Sequence, residues 1–162
     1  MITRTRIETP LGPLLAAAED GALTGLWFIG QRHFPDGADA WRESDADPVF
    51  DQVRSQLAEY FAGARRVFDL PLAPGGSHAT PFQRSVWKAI AAVPFGRTTT
   101  YAALAAQCGN ESAARAAGAA TGRNPISIVI PCHRIVGTNG SLTGYAGGLD
   151  RKKKLLQLES TH

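Results

Sequence analysis

The chain has 162 residues, 44% of them hydrophobic and 19% charged, which suits one compact core or two small ones and excludes an intrinsically disordered protein. No apolar run reaches the roughly 18 residues that span a bilayer, the opening MITRTRIETPLG lacks a secretory apolar segment, and two cysteines, Cys108 and Cys132, are too few for a disulfide scaffold; a cytoplasmic protein with reduced thiols and no membrane partner is expected. The formal net charge of +3 is uneven, since residues 1–79 hold 7 Lys and Arg against 11 Asp and Glu while residues 80–162 hold 10 against 3 and all four lysines, which points the second half toward nucleic acid.

Short strands are predicted from Ile2 to about Ile29, in ITRTRIETP, GPLLAAAED and GALTGLWFI, the first by alternation and the second by its apolar run. The Asp-, Gly- and Pro-rich GQRHFPDGADAWRESDADP reads as loop. After it, Val49, Phe50, Val53, Leu57, Tyr60 and Phe61 recur at helical spacing and stop at Gly63, giving one amphipathic helix to pack on the sheet. LAPGGSHATP has the composition of a linker, so residues 1–76 and 80–162 are taken as two domains. His33 and His78 stand alone in predicted loops and have no cysteine near them, so this half reads as a scaffold without a metal.

The second half opens with Thr80 as a helix cap and Pro81 in the first turn, and Phe82, Val86, Trp87 and Ile90 form its apolar stripe. Thr99 or Thr100 can cap a short helix that Gly109 ends, and ESAARAAGAATG supplies another after a tight turn, which suggests a helix-turn-helix. In that last helix Arg115 is the only long side chain among alanines and glycines. Such a surface suits tight packing on a neighbouring helix, or entry into a narrow DNA groove with one guanidinium projecting.

RNPISIVIPCHR reads as a turn at Asn124-Pro125, then a buried strand of Ile126, Ile128, Val129 and Ile130 that Pro131 interrupts, leaving Cys132 at its mouth. Gly144, Gly147 and Gly148 allow a close backbone approach to a flat ligand. On the helix predicted to start at Asp150, Glu159 lies four residues after Leu155 and three after Leu156, so its carboxylate faces inward. A carboxylate there can hold one nitrogen of His133 protonated while the other withdraws the thiol proton, directly or through a water, to leave a thiolate. An inert buried thiol beside a satisfied histidine fits the same spacing.

The segments TPFQRSVWKAI, TTYAALAAQCGNESAARAAGAATGRNPISI, IPCHRIV and TGYAGGLDRKKKLLQLE together resemble the O6-alkylguanine-DNA alkyltransferases through nearly all of residues 80–162. The first half resembles the family's variable N-terminal domain more weakly, in IETPLGPLLAAAEDGALTGLWF and LAEYFAG. The resemblance implies an α/β fold, with a ribonuclease H-like N-terminal domain and a mainly helical C-terminal domain carrying the helix-turn-helix. It implies irreversible, single-use transfer of an alkyl group from O6-methylguanine, and from O4-methylthymine, in double-stranded DNA entered through the minor groove. By the same resemblance Cys132 is the alkyl acceptor and His133, Glu159 and a water the proton relay, with Asn124 bracing their turn. Tyr101 rotates the nucleotide outward, Arg115 takes its place in the stack, and Ile135, Tyr145, Ala146 and Gly147 form the base pocket. Ala102, Asn110 and Thr138 fall where the family contacts the DNA backbone.

Two departures stand out. Ala146 occupies a position where relatives often carry serine, and the first half lacks the Cys and His set with which some relatives hold zinc, so no metal or cofactor is expected. Cys108 reads as a packed small residue and Lys152, Lys153 and Lys154 as a solvated helix face. A monomer is expected. The competing functions are a lesion-binding relative that transfers nothing, which replaces the acceptor cysteine retained here, and a thiol hydrolase, which offers no role for Arg115 or the basic half.

Overall fold

The computed structural model describes residues 1–109 and 113–162. Strands β1 (Thr3–Ile7), β2 (Leu14–Glu19) and β3 (Ala22–Phe28) fall where the sequence pattern places them. β2 and β3 pair antiparallel across Asp20-Gly21, whose φ angles of 53° and 80° suit the hairpin turn that matches strand twist. A fourth strand, β4 (Arg42–Glu43), lies in the stretch read as loop and runs parallel to β1, giving the order β3-β2-β1-β4. The helix α1 (Pro48–Phe61) starts where Asp47 Oδ1 accepts the Val49 N–H at 3.0 Å and Pro48 fills the first helical position. It buries Val49, Phe50, Val53, Leu57 and Tyr60 against β2 and β3, each side chain contributing about 2 kcal/mol of transfer free energy.

β3 is an edge strand whose open side is covered. Leu23 and Thr24 share backbone hydrogen bonds with Pro71, Ala73 and Gly75, while the Leu26 N–H donates to the Pro125 carbonyl (2.7 Å) and its carbonyl accepts from Ser127 (2.8 Å). The second seam joins the two halves, and one apolar cluster runs from Leu26 and Phe28 through Ile126 and Ile128 to Leu155.

A 3-10 turn, Gly76–His78, leads into α2 (Pro81–Ala91), where Thr80 and Gln83 satisfy each other's backbone N–H groups, both at 3.1 Å. β5 (Thr99–Thr100), α3 (Tyr101–Gln107) and α4 (Ala114–Gly122) follow, and α2, α3 and α4 pack on one another. Trp87 Nε1 donates to the Ala120 carbonyl at 2.9 Å, an approach the small residues of α4 permit. A two-residue strand, β6 (Ile135–Val136), pairs parallel with β5, and α5 (Leu149–Thr161) closes the fold.

The run Ile126–Ile130, expected as a buried strand, is a buried turn. The Ile130 N–H reaches back to the Ile126 carbonyl at 3.0 Å, and Ile128 has φ +71°, a conformation that a β-branched residue adopts at a cost of about 1–3 kcal/mol. Asn124 closes the turn, its Oδ1 accepting the Ile126 N–H at 3.0 Å and its Nδ2 donating to the Ile130 carbonyl at 2.8 Å. Cys132–Arg134 follows as a 3-10 turn.

Candidate active site

Cys132 is 5% exposed, and Asn124 Nδ2 donates to its Sγ at 3.1 Å. Asn124 therefore braces the turn and touches the sulfur. Burial pushes the thiol up to about 11, and the Asn124 N–H and the Lys152 cation offset only part of that shift. The expected resting thiolate is not what this environment favours: at neutral pH the sulfur is protonated.

His133 is fully buried, and its Nε2 lies 2.7 Å from Glu159 Oε2. Burial lowers the His133 pKa against the opposing pull of Glu159, so the ring is neutral at pH 7, with Nε2 as the donor and the Nδ1 lone pair free. Burial opposes the Glu159 charge, but hydrogen bonds from His133 and Arg134 outweigh it and hold the carboxyl down at about 2. Arg134 grips both oxygens, with Nε to Oε1 at 2.8 Å and Nη2 to Oε2 at 3.0 Å. Tyr60, from α1, donates to Oε2 at 2.7 Å. Among the described residues, the buried side-chain polar atoms without a protein partner are His133 Nδ1 and the Tyr145 hydroxyl, on rings 6.5 Å apart. Both belong to the surroundings of Cys132, since His133 is its neighbour in sequence and Tyr145 lines the same cavity.

Cys132 opens on a cavity of about 380 Å³ whose lining includes Tyr101, Gly118, Ala119, Tyr145 and Ala146. Tyr101 is half-buried and donates from its hydroxyl to the Thr143 carbonyl at 3.1 Å. Gly118 of α4 sits against this ring, where a Cβ would lie 3.9 Å from it. Arg115 is exposed near the start of α4, where Ala116 and Ala119 are exposed too, while Ala117, Ala120 and Thr121 face inward; the slim helix thus packs tightly on one face and leaves the other open.

Two expected pocket residues lie behind the wall. Ile135 is fully buried in β6, and Gly147 is pressed between Tyr145 and Phe28, where a Cβ would approach to 2.7 and 3.0 Å. Their carbonyls hold the pocket loop instead, accepting from Lys152 Nζ at 2.6 Å and Arg151 Nη1 at 3.0 Å. Ala102 and Thr138 are exposed, and Asn110 lies outside the described residues.

Lys152 corrects a second expectation. It has no exposed surface, and its ammonium also donates to the carbonyls of Thr143 (2.9 Å) and Gly144 (3.1 Å). The signal was available: Lys152, Leu155 and Glu159 stand at i, i+3 and i+7, one face of a helix. The role of Arg134 had no such signal, because a short turn has no periodicity, and Tyr60 was legible only as a member of an apolar stripe. The first half, read as scaffold alone, also supplies Arg32 and His33 to the cavity lining.

Models of known families match both halves: the ribonuclease-like domain of 6-O-methylguanine DNA methyltransferase over residues 2–74 and its DNA binding domain over residues 81–161. A methylated-DNA–protein-cysteine methyltransferase from Methanosarcina acetivorans is 45% identical over 154 residues, covering 95% of this chain and 96% of its own. The crystal structure of Mycobacterium tuberculosis O6-methylguanine methyltransferase superposes with a TM-score of 0.89 at 40% identity, covering 99% of this chain and 94% of that one. The structure of the M. tuberculosis protein in complex with DNA gives 0.88 at 40% identity, over 98% and 93%. An α/β first half, a helical second half and a buried Cys-His-Glu constellation thus coincide with similarity along almost the whole length, and the chain belongs to the 6-O-methylguanine DNA methyltransferase family.

Proposed function

We propose that this protein repairs double-stranded DNA in the cytoplasm by moving the alkyl group of an everted O6-alkylguanine onto Cys132 Sγ, once per molecule. The observation that carries this is the placement of one buried thiol on the wall of a cavity, with Asn124 N–H on the sulfur and the unpartnered Nδ1 of His133 on the next residue. Residues 80–162 do the chemistry on this reading, and residues 1–76 buttress it.

A base inside a duplex is out of reach of a buried sulfur, so it must leave the stack, at a cost of a few kcal/mol that is smaller when the base pairs badly. Arg115, exposed on the open face of α4, fills the gap from the minor groove. Its neighbours are small enough to follow it in, and Ala102, Asn110 and Thr138 hold the backbone. In the cavity, Tyr101 turns its hydroxyl to the guanine, and Tyr145 and Ala146 flank the base, with Ile135 and Gly147 supporting that wall. The thiol gives up its proton through a water to His133 Nδ1 as the sulfur attacks, and Glu159 stabilises the imidazolium. The guanine leaves with the C–O6 electron pair, the step that a hydrogen-bond donor assists. The thioether product is a poor leaving group, and Cys108 lines no part of the cavity, so the molecule is spent.

Incubation with a duplex carrying O6-methylguanine, followed by peptide mass analysis, is expected to show one methyl gained on Cys132 per molecule, and Cys132→Ala is expected to bind the duplex and gain none. Binding without any mass gain in the unaltered protein would sink the transfer reading and leave lesion recognition alone. Arg115→Ala is expected to slow transfer from duplex on the order of tenfold or more, through loss of part of the flipping energy, and far less from the free base. Equal slowing on both substrates would remove Arg115 from that role.

A further inference from the structure

Arg151, in the first turn of α5, makes no ion pair among the described residues and takes no part in the transfer step. Its half-buried guanidinium is nevertheless fixed in place. Nε donates to the Leu11 carbonyl at 2.9 Å, Nη1 donates to the Gly147 carbonyl at 3.0 Å, and Cζ lies 4.3 Å from the centre of the buried Phe28 ring. One planar cation thus joins the turn between β1 and β2 to the loop that brings Tyr145 and Ala146 to the cavity wall. The turn is firm in its own right. Thr9 Oγ1 accepts the Leu11 N–H at 3.1 Å and donates to the Gly12 carbonyl at 2.7 Å, while the Gly12 N–H donates to the Thr9 carbonyl at 3.0 Å. Gly12 also leaves room for the guanidinium, since a Cβ there would lie 3.0 Å from Arg151 Nη2. At the other end, the Gly148 N–H closes the loop onto the Tyr145 carbonyl at 2.9 Å, and the Ala146 carbonyl accepts the Arg32 N–H at 3.0 Å. The ties of Ala146 to Arg32 and of Gly147, through Arg151, to Leu11 both lead to the first half.

We propose that Arg151 is a positioning residue through which the β1–β2 turn of the first half sets the pocket wall that flanks the everted guanine. This role presupposes the alkyl transfer assigned to Cys132. A wall tied in this way stands in its base-binding position before the base arrives. Once untied, it holds that position for only a fraction of the time, and the apparent affinity for the base falls by that fraction. The reacting groups are spared, because Asn124 bonds to Cys132 and His133 to Glu159 without any bond to Arg151. Arg151 therefore governs how well the base is held, and the relay governs how fast the sulfur reacts.

The test follows transfer from free O6-methylguanine, which has no phosphate to attract a cation, over a range of base concentrations. It compares the unaltered protein with Arg151→Met, Gly12→Ala and the double variant, and the thermal midpoint of each is measured alongside. Arg151→Met keeps an apolar stem for Phe28 and loses both donors. It is expected to raise the half-saturating base concentration about tenfold, the worth of one hydrogen bond from a charged donor, and to leave the saturating rate within about twofold. Gly12 lines no part of the cavity, yet Gly12→Ala crowds Nη2 and is expected to shift half-saturation in the same direction. In the double variant it should add nothing to the shift that Arg151→Met produces, because both act through one contact. An unchanged half-saturation in Arg151→Met overturns the role, including the case in which less protein reacts because part of it has unfolded. So does a loss confined to the saturating rate, or a further shift in the double variant, which would put the effect of Gly12→Ala in the turn itself. If the unaltered protein transfers no methyl group, the Cys132 reading has failed and the role of Arg151 falls with it.

Discussion

Replacement of His133 by Ala is expected to slow alkyl transfer about 10²–10⁴-fold at pH 7 and to change the shape of its pH profile. In the unaltered site the thiol is pushed up to about 11 by burial, while burial holds the imidazole below its ordinary range. Between those two values the sulfur proton passes to Nδ1 within the site, no proton is exchanged with solvent, and the rate is flat with pH. Without the imidazole the thiol must ionise to solvent, so the rate should climb about tenfold per pH unit toward 11. Quenched transfer assays with free O6-methylguanine from pH 7 to 10 read both slopes and avoid any effect of pH on DNA binding. A rising slope in the unaltered protein, parallel to that of the variant, would remove His133 as the base.

Arg134→Met is expected to cost about 3–5 kcal/mol of stability, because it strips the counter-charge from a buried carboxylate. Glu159 is 4% exposed and accepts two bonds from Arg134, whose remaining Nη1 donates to the Val93 carbonyl at 2.6 Å. That loss is a large share of the 5–15 kcal/mol typical of a folded domain. The variant should also lose less of its remaining stability to acid than the unaltered protein does. The Glu159 carboxyl is held at about 2 against an ordinary 4.5, so its contribution is full above pH 4.5 and is lost as the pH falls toward 2. With Arg134 gone the folded-state pKa rises toward the unfolded value, so both the contribution and its loss to acid shrink. Urea midpoints at pH 7 and pH 3 measure both effects, and adding Glu159→Gln should recover part of the stability. A cost under about 1 kcal/mol, within the range of exposed pairs, would contradict a buried network.

What could be read in advance was local. Asp47-Pro48, Thr80-Pro81 and Thr100 announce their helices because a cap is written in two or three consecutive residues. The pairing of β4 with β1 was hidden, since two residues matched across a long loop leave no periodic trace. The turn at Ile126–Ile130 was misread because an apolar run between prolines has the same composition whether it extends or folds back; the deciding bonds come from the Asn124 side chain. At the site, the nucleophile, its histidine and its carboxylate were legible from the Pro-Cys-His motif and helical spacing. Arg134, Tyr60, Arg32 and His33 were not, because each acts through a contact set by tertiary packing.

The hydroxyl that Tyr60 extends from α1 to Glu159 ties the reactive centre to the amino-terminal half of the polypeptide. Cleaving the chain near residue 76 and discarding the front piece would therefore open the relay to solvent and strand one lobe of its carboxylate. The two halves should melt as a single cooperative unit, and a fragment beginning at residue 80 should be a poor acceptor even where it still adheres to nucleic acid.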